Sequence, residues 1–338
     1  MSHPARLSLR APPHLPFVQG WPGIPSSPQR KVAAVQGTVE VRIGPLPIKA
    51  KWVRAEIRKY ESVPPGFPSG SSNETWEHVG EVSTLWAAPA GKDWDNLEQA
   101  DFKFFIPLPD NVAPSVEMSK GTGVRYELVA ALCYRQKGGV FKKESSPIMK
   151  ISEPIRITRH DVHSAWPLYN MMDAREIKNQ GGDLTLTVQR PGSGFGPTDR
   201  ILFTASLKSM RPKPFKLKGF ECSLVEVTTV TPLAEQGAKG GKKGKGPPAP
   251  VSKSTVLASA RHAVDESVGR GGEKTARMDL PVPAERLLVT LSHGRSIAIR
   301  YELEVKAVCD SGIPDIGMGK IPYTVGPFAR SHAQQAVR

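Results

Sequence analysis

The stretch RYELVAALC, residues 125–133, recurs half a chain later as RYELEVKAVC, residues 300–309. In the second copy, Tyr301, Leu303 and Val305 alternate with charged residues. Alternation with a period of two is typical of a β-strand with one buried face and one face in water. A strand sequence that occurs twice in one chain predicts that a whole β-sheet unit is repeated.

The similarity between the two halves extends beyond this strand. FIPLPDNVAPSVEMSKGTGVRYELVAALC (105–133) aligns with DLPVPAERLLVTLSHGRSIAIRYELEVKAVC (279–309). Earlier in each half, IKAKWVRAEIRKYE (48–61) resembles FKLKGFECSLVEVT (215–228). The apolar positions of this second pair coincide: Val53 with Phe220, Ala55 with Cys222 and Ile57 with Leu224. Two matches in the same order predict a duplicated β-domain.

The rest of the chain favours the same fold class. Its 31 glycines and 32 prolines divide it into short runs, of which GTVEVRIG (37–44) and DLTLTVQR (183–190) alternate like strands. Helical periodicity is nearly absent, and DAREIKNQ (173–180) is the one stretch expected to form a helical turn or two. The sequence therefore predicts an all-β protein with two tandem immunoglobulin-like sandwiches and little helix.

A boundary near residue 170 gives two halves of similar length, 1–170 and 171–338, each able to bury a core. The lysine-, glycine- and proline-rich segment at about 235–253 cannot support a packed core. It is predicted to be a disordered surface loop between strands of the second half.

Composition limits the compartment and the partners. No apolar run approaches the roughly 18 residues of a membrane span, and the proline-rich first thirty residues do not form a signal-peptide core. Three separate cysteines without a C-x-x-C pair predict free, buried thiols in a reducing compartment. A cytoplasmic protein is expected.

The net charge of +14 favours acidic partners. Part of the excess is local, since residues 237–253 hold five lysines and no acid: Lys239, Lys242, Lys243, Lys245 and Lys253. This lysine-rich segment supplies an alternative function, in which the chain binds anionic membrane or nucleic acid through it. Because the charge is concentrated there, it does not indicate a nucleic-acid groove, and nucleic acid is the less favoured partner.

Motifs of catalysis are missing from the sequence. GSGFG (192–196) lacks dinucleotide-binding spacing and is predicted to be a hairpin loop. His160 and His163 lie three apart, so on a strand they would face opposite sides and could not share a metal ion. We therefore expect no enzyme activity, cofactor or metal, and a hydrolase on a β scaffold is the least favoured alternative.

Several segments resemble the arrestin-like family, in particular its fungal alpha-arrestin members. They are FFIPLPDNVAPSVEMSKGTGVRYELVAALCYR (104–135), PTDRILFTASLKS (197–209) followed by FKLKGFECSLVEVTTV (215–230), and the linker-like RITRHDVHSAWPLYN (156–170). The resemblance covers nearly the whole chain through diffuse motifs. It implies the arrestin fold, with an N-like sandwich followed by a C-like sandwich.

The resemblance also implies a role. Arrestin-like trafficking adaptors bind cytoplasmic segments of membrane cargo in endocytosis, protein transport or signalling, at the plasma membrane or endosomes. They usually recruit a HECT-type ubiquitin ligase through PPxY motifs. The Pro–Pro pairs here continue as PPHL, PPGF and PPAP, so this sequence departs from the family at the ligase contact.

The resemblance further implies that the first strand and the concave face of the N-like domain meet acidic or phosphorylated peptides. Arginine and lysine suit that task because they donate charge-assisted hydrogen bonds to carboxylates and phosphates. The matching positions are Arg6, Arg10, Lys49, Lys51, Arg54, Arg58 and Lys59. Arg54, Glu56 and Arg58 share one strand face, so part of the charge is offset internally, and a solvated strand face is the alternative for each residue alone.

Overall fold

The computed structural model of the chain describes residues 5–24, 28, 30–67, 73–136, 145–160, 169–232, 249–285, 287–310 and 312–332. Strands make up 61% of it and helix 2%, arranged in several antiparallel sheets, which confirms the predicted all-β sandwich class. None of the described helices is long and apolar enough to cross a bilayer. The chain divides into two compact units, an N-terminal one and a C-terminal one. The boundary near residue 170 stays a prediction.

The N-terminal unit contains two sheets. Its described strands are β1 (Ala5–Arg10), β2 (Val18–Gln19), β3 (Ala34–Ile43), β4 (Ile48–Ser62), β5 (Glu74–Ala87), β6 (Asp95–Leu97), β7 (Ala100–Pro107), β8 (Val116–Glu117), β9 (Gly123–Tyr134) and β10 (Ile148–Ile155). A single turn of 3-10 helix spans Ser119–Gly121. In the first sheet β3 pairs with β1, β2 and β7, and the second has the order β10-β9-β4-β5, with β6 on β4 and β8 on β9.

The C-terminal unit also contains two sheets. Its described strands are β11 (Asp173–Lys178), β12 (Leu184–Arg190), β13 (Gly194–Phe195), β14 (Arg200–Ser209), β15 (Phe215–Val230), β16 (Val251–Val268), β17 (Glu273–Pro281), β18 (Ile297–Cys309) and β19 (Ile316–Val325). The sheet orders are β11-β12-β14-β17 and β13-β19-β18-β15-β16.

Two local predictions are corrected in this unit. The stretch from Asp173 forms strand β11 and no helical turn, because it pairs with the alternating strand β12 along its whole length. The glycine-rich segment at Gly192 contains β13, which pairs in parallel with β19. In both places backbone pairing with a neighbouring strand outweighs the local sequence preference.

The core follows the alternation seen in the sequence. On the inner face of the second sheet, Val53, Ala55 and Ile57 of β4 lie beside Leu128 and Leu132 of β9, and all five are fully buried. Burying a side chain such as Val, Leu or Ile contributes about 1.5–3 kcal/mol. The intervening residues of β4 point away from this core, and they form the outer face described below.

The two RYEL strands occupy the same place in their sheets. β4 pairs with β9 through Val53–Leu132, Ala55–Ala130 and Ile57–Leu128, and β15 pairs with β18 through Phe220–Ala307, Cys222–Val305 and Leu224–Leu303. The residues matched by sequence therefore meet in one register in both units. A register slip of one residue would turn each apolar set towards solvent.

The tyrosine of each RYEL stretch is buried and makes the same hydrogen bond. The Oη of Tyr126 donates to the carbonyl oxygen of Ala113 at 2.7 Å, and that of Tyr301 donates to the carbonyl oxygen of Leu288 at 2.7 Å. Both acceptors lie thirteen residues upstream. A tyrosine bonded back to the upstream backbone is a recurrent feature of β-sandwiches. Burial raises the pKa of both phenols.

Candidate functional site

The outer face of the β10-β9-β4-β5 sheet carries a dense set of arginine and aromatic side chains. They share this face because they alternate with the buried residues of β4 and lie opposite one another on neighbouring strands. We call this surface the arginine–aromatic face: Trp52, Arg54, Glu56, Arg58 and Tyr60 of β4, Glu74, Trp76 and His78 of β5, Arg125 and Glu127 of β9, and Lys150 of β10.

Three guanidinium groups stack on aromatic rings of this face. Arg54 lies 4.5 Å from the ring centroid of Trp52, Arg58 lies 4.6 Å from that of Trp76, and Arg125 lies 4.0 Å from that of Tyr60. Such contacts contribute about 0.5–1 kcal/mol at exposed sites. A stacked guanidinium keeps its in-plane N–H groups free to donate, so the stacking orients the arginines without using their hydrogen bonds.

Two of the three arginines are already neutralised by carboxylates. The Nε of Arg58 donates to Glu56 at 2.7 Å, while Arg125 donates to both oxygens of Glu74 at 3.0 Å and to Glu127 at 2.6 Å. Burial disfavours the charged forms, but these hydrogen bonds outweigh it and raise the pKa of Arg58 and of Arg125. The predicted partner role of Arg58 is therefore offset by its own strand.

Arg54 is different. Within the described chain it has no carboxylate within 4.0 Å, and its Nε is buried without a hydrogen-bond partner. Directly across the sheet, Ala131 lies opposite Arg54 on one side and opposite Lys150 on the other. Lys150 is exposed and, among the residues the structure describes, it too has no acidic partner. The two cations therefore flank Ala131 on the outer face.

Lys59 was predicted to bind an acidic partner, and the structure corrects this prediction. It lies on the core side of β4 and is 6% exposed, with its Nζ 2.8 Å from Glu61 and 2.5 Å from Glu77. Burial opposes its charge, but the hydrogen bonds to these carboxylates prevail and raise the pKa of Lys59. Alternation explains the error, because Lys59 has the parity of Ile57 and not that of Arg58. It is unavailable to an external partner.

The other predicted cations of the N-terminal unit are distributed over different surfaces. Lys49 and Lys51 are exposed at the start of β4, where Lys51 lies 3.5 Å from Asp93. Arg6 and Arg10 belong to β1, in the other sheet. Arg10 lies 3.0 Å from Glu40, and Arg6 is paired across the strands with another arginine, Arg42. The structure therefore does not gather these seven residues into one site.

The lysine-rich segment is only partly described. Lys239, Lys242, Lys243 and Lys245 lie outside the described residues, as does His163. Lys253 is exposed in strand β16, opposite Thr228 of β15. The C-terminal limit predicted for the loop, residue 253, is therefore corrected, because pairing with β15 begins at residue 251.

The described residues offer no group of three or more His, Cys, Asp or Glu side chains that could hold a metal ion.

Cys133, Cys222 and Cys309 are buried and free, as the sequence predicts. Burial raises the pKa of Cys222 and of Cys309 to about 11. These thiols are therefore inert core residues.

Sequence reasoning missed the aromatic half of the face and Lys150. A signal was present: Trp52, Tyr60 and Arg54 have the same parity on one strand, and Arg125 opens the RYEL repeat. What the sequence could not supply is the strand order, which places β5 and β10 on the two sides of β4 and β9.

Comparison with known proteins adds no assignment. No protein-family model matches the chain. No curated protein matches it either. The arrestin-like resemblance thus rests on the motifs quoted above and on the duplicated β architecture they led us to expect.

Proposed function

We propose that the chain is a non-enzymatic, arrestin-like adaptor that binds acidic or phosphorylated segments, such as cytoplasmic tails of membrane cargo proteins, in trafficking, endocytosis or signalling. One observation carries the proposal. Arg54 and Lys150 stand on an outer sheet face without acidic partners in the described chain, beside arginines held in place by aromatic rings.

The same face supports binding because it is pre-organised. β4 and β9 are inner strands of their sheet, each paired on both sides, so the backbone that carries these side chains is held by hydrogen bonds to two neighbouring strands. Stacking on Trp52 further restricts Arg54 before any partner arrives. Restriction in advance lowers the entropy that binding has to remove.

Recruitment of a ubiquitin ligase, which the family resemblance implies, is not explained by a PPxY motif in this sequence. None of its three Pro–Pro pairs has the PPxY form. Recruitment of a HECT-type ligase by the residues of this sequence would therefore need a contact other than PPxY. The proposal covers cargo binding and leaves the ligase as a further partner to be identified.

The test is affinity purification from the native cells with quantitative mass spectrometry. Three forms are compared: the native chain, a variant lacking residues 237–253, and Arg54→Glu. Membrane proteins should be recovered with the first two forms and depleted at least several-fold with Arg54→Glu. If only nucleic-acid- or lipid-associated proteins appear, and they vanish with the 237–253 deletion, binding through the lysine-rich segment replaces this proposal.

A further inference from the structure

We propose that Arg54 and Lys150 form one anion-binding position, which takes a single oxyanion, phosphate or carboxylate, from a side chain of a bound peptide. This inference rests on the proposed function and names the position on the arginine–aromatic face where recognition occurs. Lys150 and Trp52 enter it from the structure alone.

The distribution of charge singles out this pair. The other two arginines of the face, Arg58 and Arg125, are held by Glu56, Glu74 and Glu127. To bind a ligand anion they would first have to release a carboxylate of the protein. Arg54 and Lys150 have no such competitor in the described chain, so on the arginine–aromatic face a ligand anion meets uncompensated positive charge at this position.

The geometry brings the two cations within reach of one anion. Each lies directly opposite Ala131, one on either neighbouring strand, so their Cα atoms are separated by two strand spacings, about 10 Å. Ala131 is only 5% exposed, so its methyl group hardly reaches solvent between them. An oxyanion placed between the ends of the two long side chains can accept from the Arg54 guanidinium on one side and from the Lys150 ammonium on the other.

The two cations have complementary properties. Arg54 is oriented by the Trp52 ring and presents a planar fork of N–H donors. Lys150 is an exposed, flexible point charge that can adjust to the third oxygen of a phosphate. A phosphate carries more charge and more acceptor oxygens than a carboxylate, so phosphoserine should bind more tightly than glutamate at this position.

The surroundings favour a peptide side chain over a membrane surface. Glu56, Glu74 and Glu127 lie on the same face, and the Glu74 side chain is 42% exposed. A broad anionic surface would meet these carboxylates together with the cations, which weakens its attraction to the face. A single side-chain anion avoids them, because it contacts the face at one point.

Titration followed by nuclear magnetic resonance tests the proposal on the full chain. The probes are three nine-residue glycine–serine peptides that differ only in a central phosphoserine, glutamate or serine. The reporter is the indole N–H signal of Trp52, assigned with Trp52→Phe. We expect this signal to move with phosphoserine, less with glutamate and not with serine.

Matched variants then locate the anion. Arg54→Gln and Lys150→Gln should each weaken phosphoserine-peptide binding at least tenfold. Lys103→Gln should leave it unchanged, because it removes the same charge from an exposed position of β7 in the other sheet. The six tryptophan indole signals of each variant report that it is folded. Lys150 is exposed, so its variant keeps the test valid if Arg54→Gln unfolds.

Each other result has a defined meaning. Phosphopeptide binding that is equally strong in all three variants overturns the Arg54–Lys150 position and leaves the adaptor function standing. No response to any acidic peptide overturns both. A Trp52 shift produced by phosphatidylserine vesicles, with none produced by peptides, replaces the peptide with a membrane surface.

Discussion

The two RYEL strands lie in equivalent places, yet the polar residues opposite their tyrosines differ. In the N-terminal unit Lys59 lies opposite Tyr126, whereas in the C-terminal unit Glu226 lies opposite Tyr301. The tyrosine and the apolar residues are what the two sheets share. The polar partner beside the tyrosine has diverged, which shows that the duplicated fold fixes register and packing but not the chemistry at this position.

The polar arrangements opposite the two tyrosines should contribute differently to stability. Lys59 forms ion pairs with Glu61 and Glu77 at the end of the core, where removing charges from water carries a large desolvation penalty. In the other unit, the Oη of Tyr301 contacts the Glu226 carboxylate at 2.8 Å as well as its backbone acceptor, and among the described residues no lysine pairs with Glu226. The first arrangement should thus be more sensitive to loss of one member.

The largest expected effect comes from breaking the ion-paired arrangement. Lys59→Met removes a cation that lies 2.8 Å from Glu61, which is 2% exposed, and should lower the free energy of unfolding by about 3–5 kcal/mol. Urea unfolding followed by fluorescence measures it. Glu226→Gln, which keeps a hydrogen-bonding group beside Tyr301, should cost about 1 kcal/mol or less. Equal losses for the two variants would show that the arrangements are energetically alike.

An intermediate effect is expected from the tyrosines themselves. Tyr126→Phe leaves the Ala113 carbonyl without its donor and should cost about 1–2 kcal/mol, the penalty of one buried hydrogen bond. Tyr301→Phe removes the single hydroxyl proton that lies within hydrogen-bonding distance of both the Leu288 carbonyl and the Glu226 carboxylate. It should cost more, about 2–3 kcal/mol, because a hydrogen bond to a carboxylate is stronger than one to a carbonyl. The same urea titrations give both values. A larger loss for Tyr126→Phe would mean that the contact with Glu226 adds nothing to stability.

The repeat explains why the fold was readable from sequence and the site was not. Alternation along one strand predicts parity, so the inner residues Val53, Ala55 and Ile57 were recognised as a core set. The same rule, applied two residues beyond Ile57, would have placed Lys59 inside. Lys150 needed more, because its position beside Arg54 depends on the order of three strands. Strand order results from packing over the whole unit, and no local pattern in one sequence encodes it.

Substitution of the first residue of each RYEL stretch should have the smallest effect on stability, and that effect depends on pH. Arg125 bridges Glu74 and Glu127, whereas Arg300 lies 3.3 Å from Glu302. Burial would raise the pKa of Glu74, but hydrogen bonds from Ser62 and Arg125 outweigh it, so the pKa lies below its ordinary 4.5. A lowered folded-state pKa contributes stability above pH 4.5 that is lost as the pH falls through the folded value.

Arg125→Ala should therefore reduce the stability lost on acidification from pH 6 to pH 3, by less than about 1 kcal/mol because the pair is largely in solvent. The measurement is urea unfolding at each pH, and Arg300→Ala is the matched control from the other strand. Because the Arg125 effect is an ion-pair effect, it should shrink in 1 M salt. An identical pH profile in the two variants would mean that the RYEL arginines, like the tyrosines, serve the same structural purpose in both sheets.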